Sequence, residues 1–420
     1  LPQVARFQLG RSLAPAKKPG KTAFRTERRN SHRPQFAATV RASNRGVVRD
    51  PTVNTATNTP ETVRIEIGEI TRMQRLLQKR LFACLTILVA SVAHASTYAG
   101  DWIGFRGPGG AGVAEAKNLP VDWDSSKNVV WKKTIPGLGT SMPIVIGSRI
   151  YLTSYSGYAE SIDEPGDIEK LQRQVICLDR ETGEIQWEKS FKAVQPESKY
   201  RPGNDSKHGY ASSTPTADEK HLYLFFGISG VYCLNLEDGS TVWNTPVGDG
   251  THGWGSATSP ILYKDLVIVN ASIESQSLNA LNKADGKEIW RAEGIRRCWS
   301  SPLLVDVDGK QEVVLNIPGK VAGFDPQTGE ELWRCDGIDD YICPTVIAND
   351  GIVYALGGRR NTAIAVRAGG KGDVTESHVV WRTNKGANVT SPVYVDGNLF
   401  WVHDTRGIAY CLNAETGDVL

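Results

Sequence analysis

The sequence predicts an all-β protein folded as a β-propeller of four-stranded blades. Two observations predict this fold. A short phrase ending in tryptophan returns at intervals of 43 to 56 residues, and a second phrase containing proline opens an apolar run ahead of each copy. The composition agrees, because 42 glycines and 11 tryptophans but only 2 methionines in 420 residues suit a turn-rich β protein better than a helical one.

The tryptophan phrase couples a turn to the strand that follows it. An apolar strand leads to Asp or Asn, two further residues, a Thr-Gly or Asp-Gly turn and, after three more residues, Trp, as in Cys177–Trp187. The Asp or Asn oxygen can accept from backbone N–H groups two residues on, and glycine takes the positive φ. We expect each indole to lie buried between neighbouring blades as a structural residue, with its N–H bonded to an acceptor. The series consists of Trp131, Trp187, Trp243, Trp290, Trp333 and Trp381, of which the first and last lack the full phrase.

The proline phrase marks where each blade begins, because proline at the first residue of a strand costs no ladder donor. Six starts follow, near residues 141, 211, 255, 299, 341 and 390. The last blade lacks its fourth strand. Either the chain is truncated, or the predicted strand Val129–Lys132 supplies that strand and closes the ring. The stop at Leu420, one residue before the expected Trp, favours truncation.

The first hundred residues have a different character. Residues 1–72 carry 14 Lys and Arg against 5 Asp and Glu, and we expect them to be a disordered basic extension that reflects a mis-assigned start. A basic nucleic-acid-binding tail is the alternative. Residues 73–95 have the basic, apolar and small-residue regions of a signal peptide. We therefore expect a periplasmic or secreted propeller over residues 96–420, without a transmembrane anchor in its mature form.

Charge excludes one class of partner for the propeller. The net charge of the whole chain is +2, so the residues after 72 sum to −7. An acidic body argues against nucleic-acid binding, because phosphate contacts need a basic face. Cys177, Cys233 and Cys411 share one repeat position and indicate core packing, whereas a disulfide among Cys298, Cys335 and Cys343 stays open.

The repeat resembles a known family. Asp-x-x-Thr-Gly-x-x-x-Trp is similar to the tryptophan-docking motif of quinoprotein-type propellers, named for pyrroloquinoline quinone, and the resemblance covers roughly residues 129–420. The opening Asp101–Pro108 resembles secreted single-propeller proteins of planctomycete-type bacteria. The family includes alcohol and glucose dehydrogenases, the lipoprotein subunit of the outer-membrane β-barrel assembly machinery and sensor domains of kinases. The resemblance implies eight blades as the usual number and is specific for the fold, not for an activity.

The resemblance makes pyrroloquinoline quinone and calcium possible cofactors. Such a dehydrogenase needs a calcium ion held by carboxylate and amide oxygens, and a carboxylate base for the substrate proton. The vicinal Cys-Cys pair of the alcohol dehydrogenases does not occur in the sequence, and no catalytic residue or metal ligand can be assigned. We therefore predict a binding or scaffold module. The alternative is a quinone-dependent alcohol or sugar dehydrogenase, or a degenerate relative.

The segments that enter the first strands are rich in aromatic and polar residues. First strands line the central channel, so these segments ring one mouth of it. The predicted ligand-binding residues are His208, Tyr210, His252, Trp254, Arg297, Trp299, Tyr341 and Asn388. Together they could hold a flat, anionic small ligand or an envelope protein. In the alternative interpretation they only close the funnel and satisfy the loop backbone, and a metal between the two histidines is disfavoured because blade rotation separates them.

Overall fold

The computed structural model describes residues 100–114, 116–161, 163–199 and 208–420. The predicted extension and signal peptide lie outside the described residues. Contacts divide the chain into two units, residues 11–96 and residues 1–10 with 97–420, and every described residue belongs to the second. No helix within the described ranges is long and apolar enough to cross a membrane.

The first three sheets each have four antiparallel strands in chain order. The first sheet contains β1 (Ile144–Ile146), β2 (Arg149–Ser156), β3 (Gln172–Asp179) and β4 (Ile185–Lys192). The second contains β5 (Thr216–Ala217), β6 (His221–Phe225), β7 (Val231–Asn235) and β8 (Thr241–Thr245). The third contains β9 (Ile261–Tyr263), β10 (Leu266–Ala271), β11 (Ser277–Asn282) and β12 (Glu288–Glu293).

The next three sheets repeat this order with two departures. The fourth sheet contains β13 (Leu303–Val307), β14 (Lys310–Ile317), β15 (Lys320–Phe324) and β16 (Glu331–Asp336). The fifth contains β17 (Ile347–Asn349), β18 (Ile352–Gly357), β19 (Thr362–Arg367) and β21 (Val379–Thr383), after β20 (Gly372–Asp373) and the short helix α1 (Thr375–His378). The sixth contains β22 (Val393–Val395), β23 (Asn398–Val402) and β24 (Ala409–Asn413). The departures are β20, which joins the fourth sheet, and the three-stranded sixth sheet. Single 3₁₀ turns occupy Pro108–Gly110, Ile168–Lys170 and Gly227–Ser229.

Each sheet lies face to face with its neighbours. Along β14, Val313 and Leu315 pack against Ile268 of the third sheet, whereas Val314 between them packs against Val353 of the fifth. The period-two alternation of a strand thus serves two interfaces at once. The predicted β-propeller of four-stranded blades is confirmed, and all six predicted starts lead into a sheet.

A ring of hydrogen bonds joins the sheets where their innermost strands begin. At one repeat position, a backbone N–H donates to the hydroxyl oxygen at the same position of the next sheet. The series runs Met142 to Thr214, Thr214 to Ser259, Ser259 to Ser301, Ser301 to Thr345 and Thr345 to Ser391, at 2.9–3.1 Å. We call these residues the hydroxyl ring. In the fifth sheet the ring position is Thr345, so the predicted Cys343-Pro344 start is displaced along the chain.

The repeat tryptophans make a second set of contacts, at the outer strands. Trp243 on β8 donates its indole N–H to the carbonyl of Lys283 at 2.9 Å, in the turn before β12 of the next sheet. Gly286 of that turn approaches the ring so closely that a Cβ there would lie 2.6 Å from it. The same pairing of indole and turn glycine joins Trp131 to Gly183, Trp187 to Gly239, Trp290 to Gly329 and Trp381 to Gly417.

Trp333 is the exception, because the fifth sheet has no Thr-Gly turn to receive it. Its fully buried indole donates instead to Glu312 Oε2 on β14 of its own sheet, at 2.6 Å. Gly372 of β20 pairs with Trp333 in register and covers the strand that the missing turn leaves open. Burial raises the pKa of Glu312, whereas the bond from Trp333 lowers it; the net shift is upward.

The residue opposite each tryptophan is small. Cys177 faces Trp187, Cys233 faces Trp243 and Ala280 faces Trp290, and the register shifts after each pair. A Cβ on Gly323 would lie 2.2 Å from Trp333 Nε1, so the indole occupies the volume that a larger side chain would need. The six described cysteines are all free thiols, and none of them forms the disulfide left open above.

The predicted strand Val129–Lys132 is not a strand in the structure, and it makes no pairing with β24. Trp131 lies against the first sheet, where its indole N–H donates to the Arg180 carbonyl at 2.9 Å. This side-chain contact joins the segment to the first sheet, and the described residues show no strand pairing for it. The alternative in which this segment completes the last blade is therefore corrected.

Gly286→Ala should destabilise the fold more than Gly351→Ala. Both glycines have positive φ, +71° and +72°, but a Cβ at position 351 would meet nothing within 4 Å. Both variants therefore incur the same cost of about 1–2 kcal/mol for alanine at a positive φ. Only the variant at position 286 also brings a Cβ against the Trp243 ring. Urea unfolding should show an additional loss of about 2 kcal/mol for Gly286→Ala. Equal losses in the two variants would show that the indole contact contributes nothing.

Candidate functional site

The innermost strands surround a cavity of about 450 Å³. Five of its twelve described lining residues come from one repeat position, two residues before the hydroxyl ring, and the other seven come from the mouth segments, the ring itself and Phe105. The lining residues are Phe105, His208, Ser212, Trp254, Ala257, Trp299, Ser301, Tyr341, Cys343, Thr345, Val389 and Ser391. The cavity size is typical of a small-ligand site.

Four rings contact one another at the mouth of the cavity. The ring centroids of Trp254 and Trp299 are 5.3 Å apart, and Tyr341 stands edge-on to Trp254 at 4.8 Å. His252 lies behind both indoles, 5.0 Å from Trp299 and 5.6 Å from Trp254. Edge-to-face packing of this kind fixes ring orientation. We call Trp254, Trp299 and Tyr341 the aromatic mouth.

Hydrogen bonds fix the aromatic mouth further. Trp299 donates its indole N–H to the Gly255 carbonyl at 2.8 Å, and Asn388 Nδ2 donates to the Tyr341 hydroxyl at 2.8 Å. Asn388 is in turn held by its backbone N–H, which donates to Asp404 at 3.0 Å. The rings are therefore positioned before any ligand arrives, which reduces the entropic cost of binding.

The polar part of the wall consists of hydroxyls and one imidazole. His208 Nδ1 and Ser212 Oγ are 2.7 Å apart, and the half-buried imidazole faces the cavity beside them. Ser301, Thr345 and Ser391 present hydroxyls that already accept from the neighbouring backbone. The wall can therefore donate a few hydrogen bonds to a ligand, and among its described residues only His208 can carry a full charge, when it is protonated.

Charges gather at the rim beside Tyr341. The Arg359 guanidinium lies over the Tyr341 ring, 4.5 Å from its centroid, and forms an ion pair of 2.8 Å with Asp340. Burial would raise the pKa of Asp340, but hydrogen bonds from the Arg359 and Tyr341 backbone and the charges of Arg359 and Arg297 lower it below its usual value. This part of the rim therefore holds an Arg359–Asp340 ion pair, the second arginine Arg297, and the Asp404 carboxylate that accepts from Asn388.

Six of the eight predicted ligand-binding residues lie at the cavity or in direct contact with its wall. His208, Trp254, Trp299 and Tyr341 line it, whereas His252 and Asn388 support the aromatic mouth from behind. Arg297 is exposed at the rim and does not line the cavity.

Tyr210 lies elsewhere, and its predicted place in the mouth is corrected. Its ring is only 2 % exposed and packs edge-on against Tyr155 at 5.5 Å, with Arg173 5.6 Å from its centroid. Gly209 precedes it with φ +64° and lies so close to Tyr155 that a Cβ would be 2.2 Å from that ring. This turn directs Tyr210 away from the channel and into the first sheet's own core.

Phe105 and the hydroxyl ring were not predicted as parts of the site from the sequence. A hydroxyl residue directly before proline, as in Thr214, Ser259, Ser301 and Ser391, was the available signal for the ring. Phe105 has no equivalent in the repeats, and only a long-range contact brings it to the cavity.

The lining residues do not fit the calcium and quinone pair of the dehydrogenases. Carboxylate oxygens are the donors that calcium prefers, and the lining residues that the structure describes include no Asp or Glu. Nor does any group of three or more His, Cys, Asp or Glu side chains suited to a metal occur in the described part of the chain. Cys343 is the thiol in the wall, and burial raises its pKa to about 12, so that it is protonated at neutral pH.

The comparisons with known proteins place the chain in a family. The family described as outer membrane protein assembly factor BamB matches residues 171–420, more than half of the sequence. The chain belongs to this family. The predicted quinoprotein-like repeat is confirmed with it.

The relatives are distant. BamB of Yersinia pestis is 26% identical over 264 residues, which are 59% of this chain and 60% of that protein. BamB of Salmonella typhimurium is 26% identical over 276 residues, 52% of this chain and 67% of that protein. The chain therefore spans about 60% of the length of the Yersinia relative.

Solved structures with similar folds include a BamB and a quinohemoprotein alcohol dehydrogenase. BamB from Moraxella catarrhalis has a TM-score of 0.44 at 16% identity, covering 65% of this chain and 70% of that one. A quinohemoprotein alcohol dehydrogenase from Comamonas testosteroni has a TM-score of 0.46 at 10% identity, covering 67% and 58%.

One buried carboxyl group lies away from the cavity, between the second and third sheets. Glu274 is buried beside Gly227 and Ser256, and its Oε2 has no hydrogen-bond partner. Burial raises its pKa to about 7, against the smaller opposing effect of a hydrogen bond from Ser256. The folded chain therefore holds a proton on Glu274 that the unfolded chain has lost well below neutral pH.

Glu274→Gln should make the fold less sensitive to pH between about 4.5 and 7. Because the pKa is raised on folding, the native chain loses stability as pH rises through this interval, by roughly 3 kcal/mol in total. The variant lacks this titration, so its urea midpoint relative to the native chain should improve from pH 4.5 to pH 7.5. Exposed Glu181→Gln serves as the control and should follow the native chain throughout. Parallel pH curves for Glu274→Gln and the native chain would contradict the prediction.

Proposed function

We propose that the chain is a binding propeller of the cell envelope, which holds its ligand in the cavity behind the aromatic mouth. The observation that carries the proposal is the cavity of about 450 Å³ walled by Trp254, Trp299 and Tyr341. Rigid aromatic surface that faces open space loses its water at little entropic cost when a ligand stacks on it. A core that only closed a funnel would leave no such volume.

The chemistry of the wall favours a flat ligand with an anionic end. The rings offer faces and edges for a planar group, and the hydroxyls of Ser212 and Ser301 offer a few hydrogen bonds inside. Arg359 and Arg297 at the rim are suited to a carboxylate or a similar anion. A small molecule or an aromatic side chain of an envelope protein would satisfy these requirements.

The location and the partner class belong to the same proposal. The sequence of residues 73–95 is typical of a signal peptide, which would deliver the propeller to the periplasm or the outside. The relatives are named for outer membrane protein assembly. Both support an envelope protein or an envelope-derived small ligand as the partner of this chain.

A quinone-dependent dehydrogenase is not proposed as a second function. The described wall offers hydroxyls and an imidazole where a calcium-assisted oxidation needs carboxylates. Among the wall residues that the structure describes, none is a carboxylate that could take the substrate proton.

Pyrroloquinoline quinone, a flat tricarboxylate, is a suitable first probe for the native chain. Calorimetry should detect saturable binding that does not require calcium, and an electron-accepting dye should not be reduced when an alcohol or a sugar is added. Trp254→Ala should weaken binding at least tenfold, because each stacked ring contributes about 1–3 kcal/mol. Trp123→Ala removes an exposed indole outside the cavity lining and should leave affinity unchanged.

Two results would reject this assignment. Dye reduction that depends on both calcium and the quinone would indicate an oxidoreductase. Equal affinities for Trp254→Ala and Trp123→Ala would show that the quinone binds outside the aromatic mouth.

A further inference from the structure

Residues 101–112, which we call the strap, lie outside the repeats and contact four of the six sheets. Trp102 exchanges two backbone hydrogen bonds with Val145 of the first sheet, at 2.8 and 3.0 Å. Next to it, the Ile103 carbonyl accepts from the Ala217 N–H of the second sheet at 3.0 Å. The strap thus begins as a short extra pairing on two neighbouring innermost strands.

The strap then reaches the fourth and sixth sheets. Gly110 lies so close to β13 that a Cβ there would be 2.5 Å from Leu303 Cδ1. Arg106 donates to the Pro392 carbonyl at the start of β22, and also to the carbonyls of Gly110 at 3.1 Å and Ala111 at 3.2 Å. Since the six sheets follow one another in order around the channel, a segment that contacts the first, second, fourth and sixth must cross it.

The crossing lies deeper than the hydroxyl ring. The strap contacts Val145, Ala217 and Leu303, which come two or three residues after the ring position, and Pro392, which comes one residue after it. At about 3.3 Å per residue these contacts lie roughly 3–10 Å further from the aromatic mouth. The cavity lining, by contrast, ends at the ring, with one addition: Phe105 of the strap.

We propose that the strap closes the end of the channel opposite the aromatic mouth, and that Phe105 is the end wall of the cavity. Phe105 then contacts the part of a ligand that enters deepest and limits the length of the planar group that fits. The claim about ligands rests on the proposed function; the claim that the channel is closed does not. Arg106 is the positioning residue, because it joins the strap after Phe105 to the Pro392 carbonyl of the sixth sheet and to the carbonyls of Gly110 and Ala111.

The first test compares two planar anions of different length, 1-naphthalenesulfonate and 1-pyrenesulfonate, on the native chain and on Phe105→Ala. Removing the phenyl ring lengthens the cavity, so the ratio of the two dissociation constants should shift at least fivefold in favour of the pyrene. Ile103→Ala is the matched control, because Ile103 is on the strap, 45% exposed and outside the lining. Its ratio should equal that of the native chain. An unchanged ratio in Phe105→Ala would overturn the role of Phe105 as end wall.

The second test needs no ligand. Cys343 lines the cavity and is half-buried, so its alkylation rate reports access from either end of the channel. The rate of Cys343 alkylation is measured at pH 9 by peptide mass spectrometry. It should rise at least threefold in Phe105→Ala, because the channel is then open at the strap. In Ile103→Ala the rate should not change. An equal rate in both variants would overturn the closed channel. Thermal unfolding confirms that each variant folds, and Phe105→Leu replaces the alanine variant if it does not.

The two tests separate the two proposals. If neither sulfonate binds the native chain but alkylation of Cys343 accelerates in Phe105→Ala, the proposed function fails and the strap stands. If both sulfonates bind and neither the ratio nor the alkylation rate responds to position 105, the strap fails and the proposed function stands.

Discussion

The hydrogen bond from one innermost strand to the hydroxyl of the next sets the geometry on which the cavity depends. A single such bond contributes about 1 kcal/mol, but a lost hydroxyl would leave a buried backbone N–H without a partner, which costs more. The ring therefore fixes the start of each strand relative to its neighbour. Two residues earlier, the side chains at the same repeat position must face the channel. The ring is nearly uniform, whereas that wall position holds Ser212, Ala257, Trp299, Cys343 and Val389. The hydroxyl ring thus holds the sheets together, while the position two residues earlier is free to vary and forms the surface that a ligand would contact.

The tryptophan contacts lie at the outermost strands, far from the channel, and limit rotation of one sheet relative to the next. An indole fits on the next turn only where that turn presents glycine, because any Cβ would enter the ring. The fourth sheet shows how strict this requirement is. With no turn to receive Trp333, the chain supplies Glu312 as the acceptor and β20 as the cover. A buried indole N–H without an acceptor would be costly. The side chain of Glu312, two strands away in the same sheet, supplies the acceptor, and the cost is partial desolvation of its carboxyl group.

The features that recur in every repeat could be predicted from the sequence, whereas the conformations of the individual loops could not. The spacing of the tryptophans and the small residues opposite them follow from one repeated turn, so the sheets and their order could be predicted. The aromatic mouth could be located because first strands face the channel, yet Tyr210 and Tyr341 turn in opposite directions from loops that look alike. A loop has no strand pairing to fix the direction of a side chain. The direction of Tyr210 depends on the close contact of Gly209 with Tyr155, and the sequence repeat gives no sign of that contact.

The strap and the hydroxyl ring meet at Met142, and this meeting point explains why the strap can enter the channel. Met142 occupies the ring position of the first sheet but has a thioether in place of a hydroxyl. Its Sδ accepts from the Trp102 indole N–H at 3.1 Å. Sulfur is a weak and polarisable acceptor that packs well against an aromatic ring. A hydroxyl oxygen at this position would lie one bond closer to the backbone and would not reach the Trp102 indole N–H. The interruption of the ring is therefore the place where the strap is anchored, and the anchoring of Trp102 carries Phe105, three residues on, over the channel.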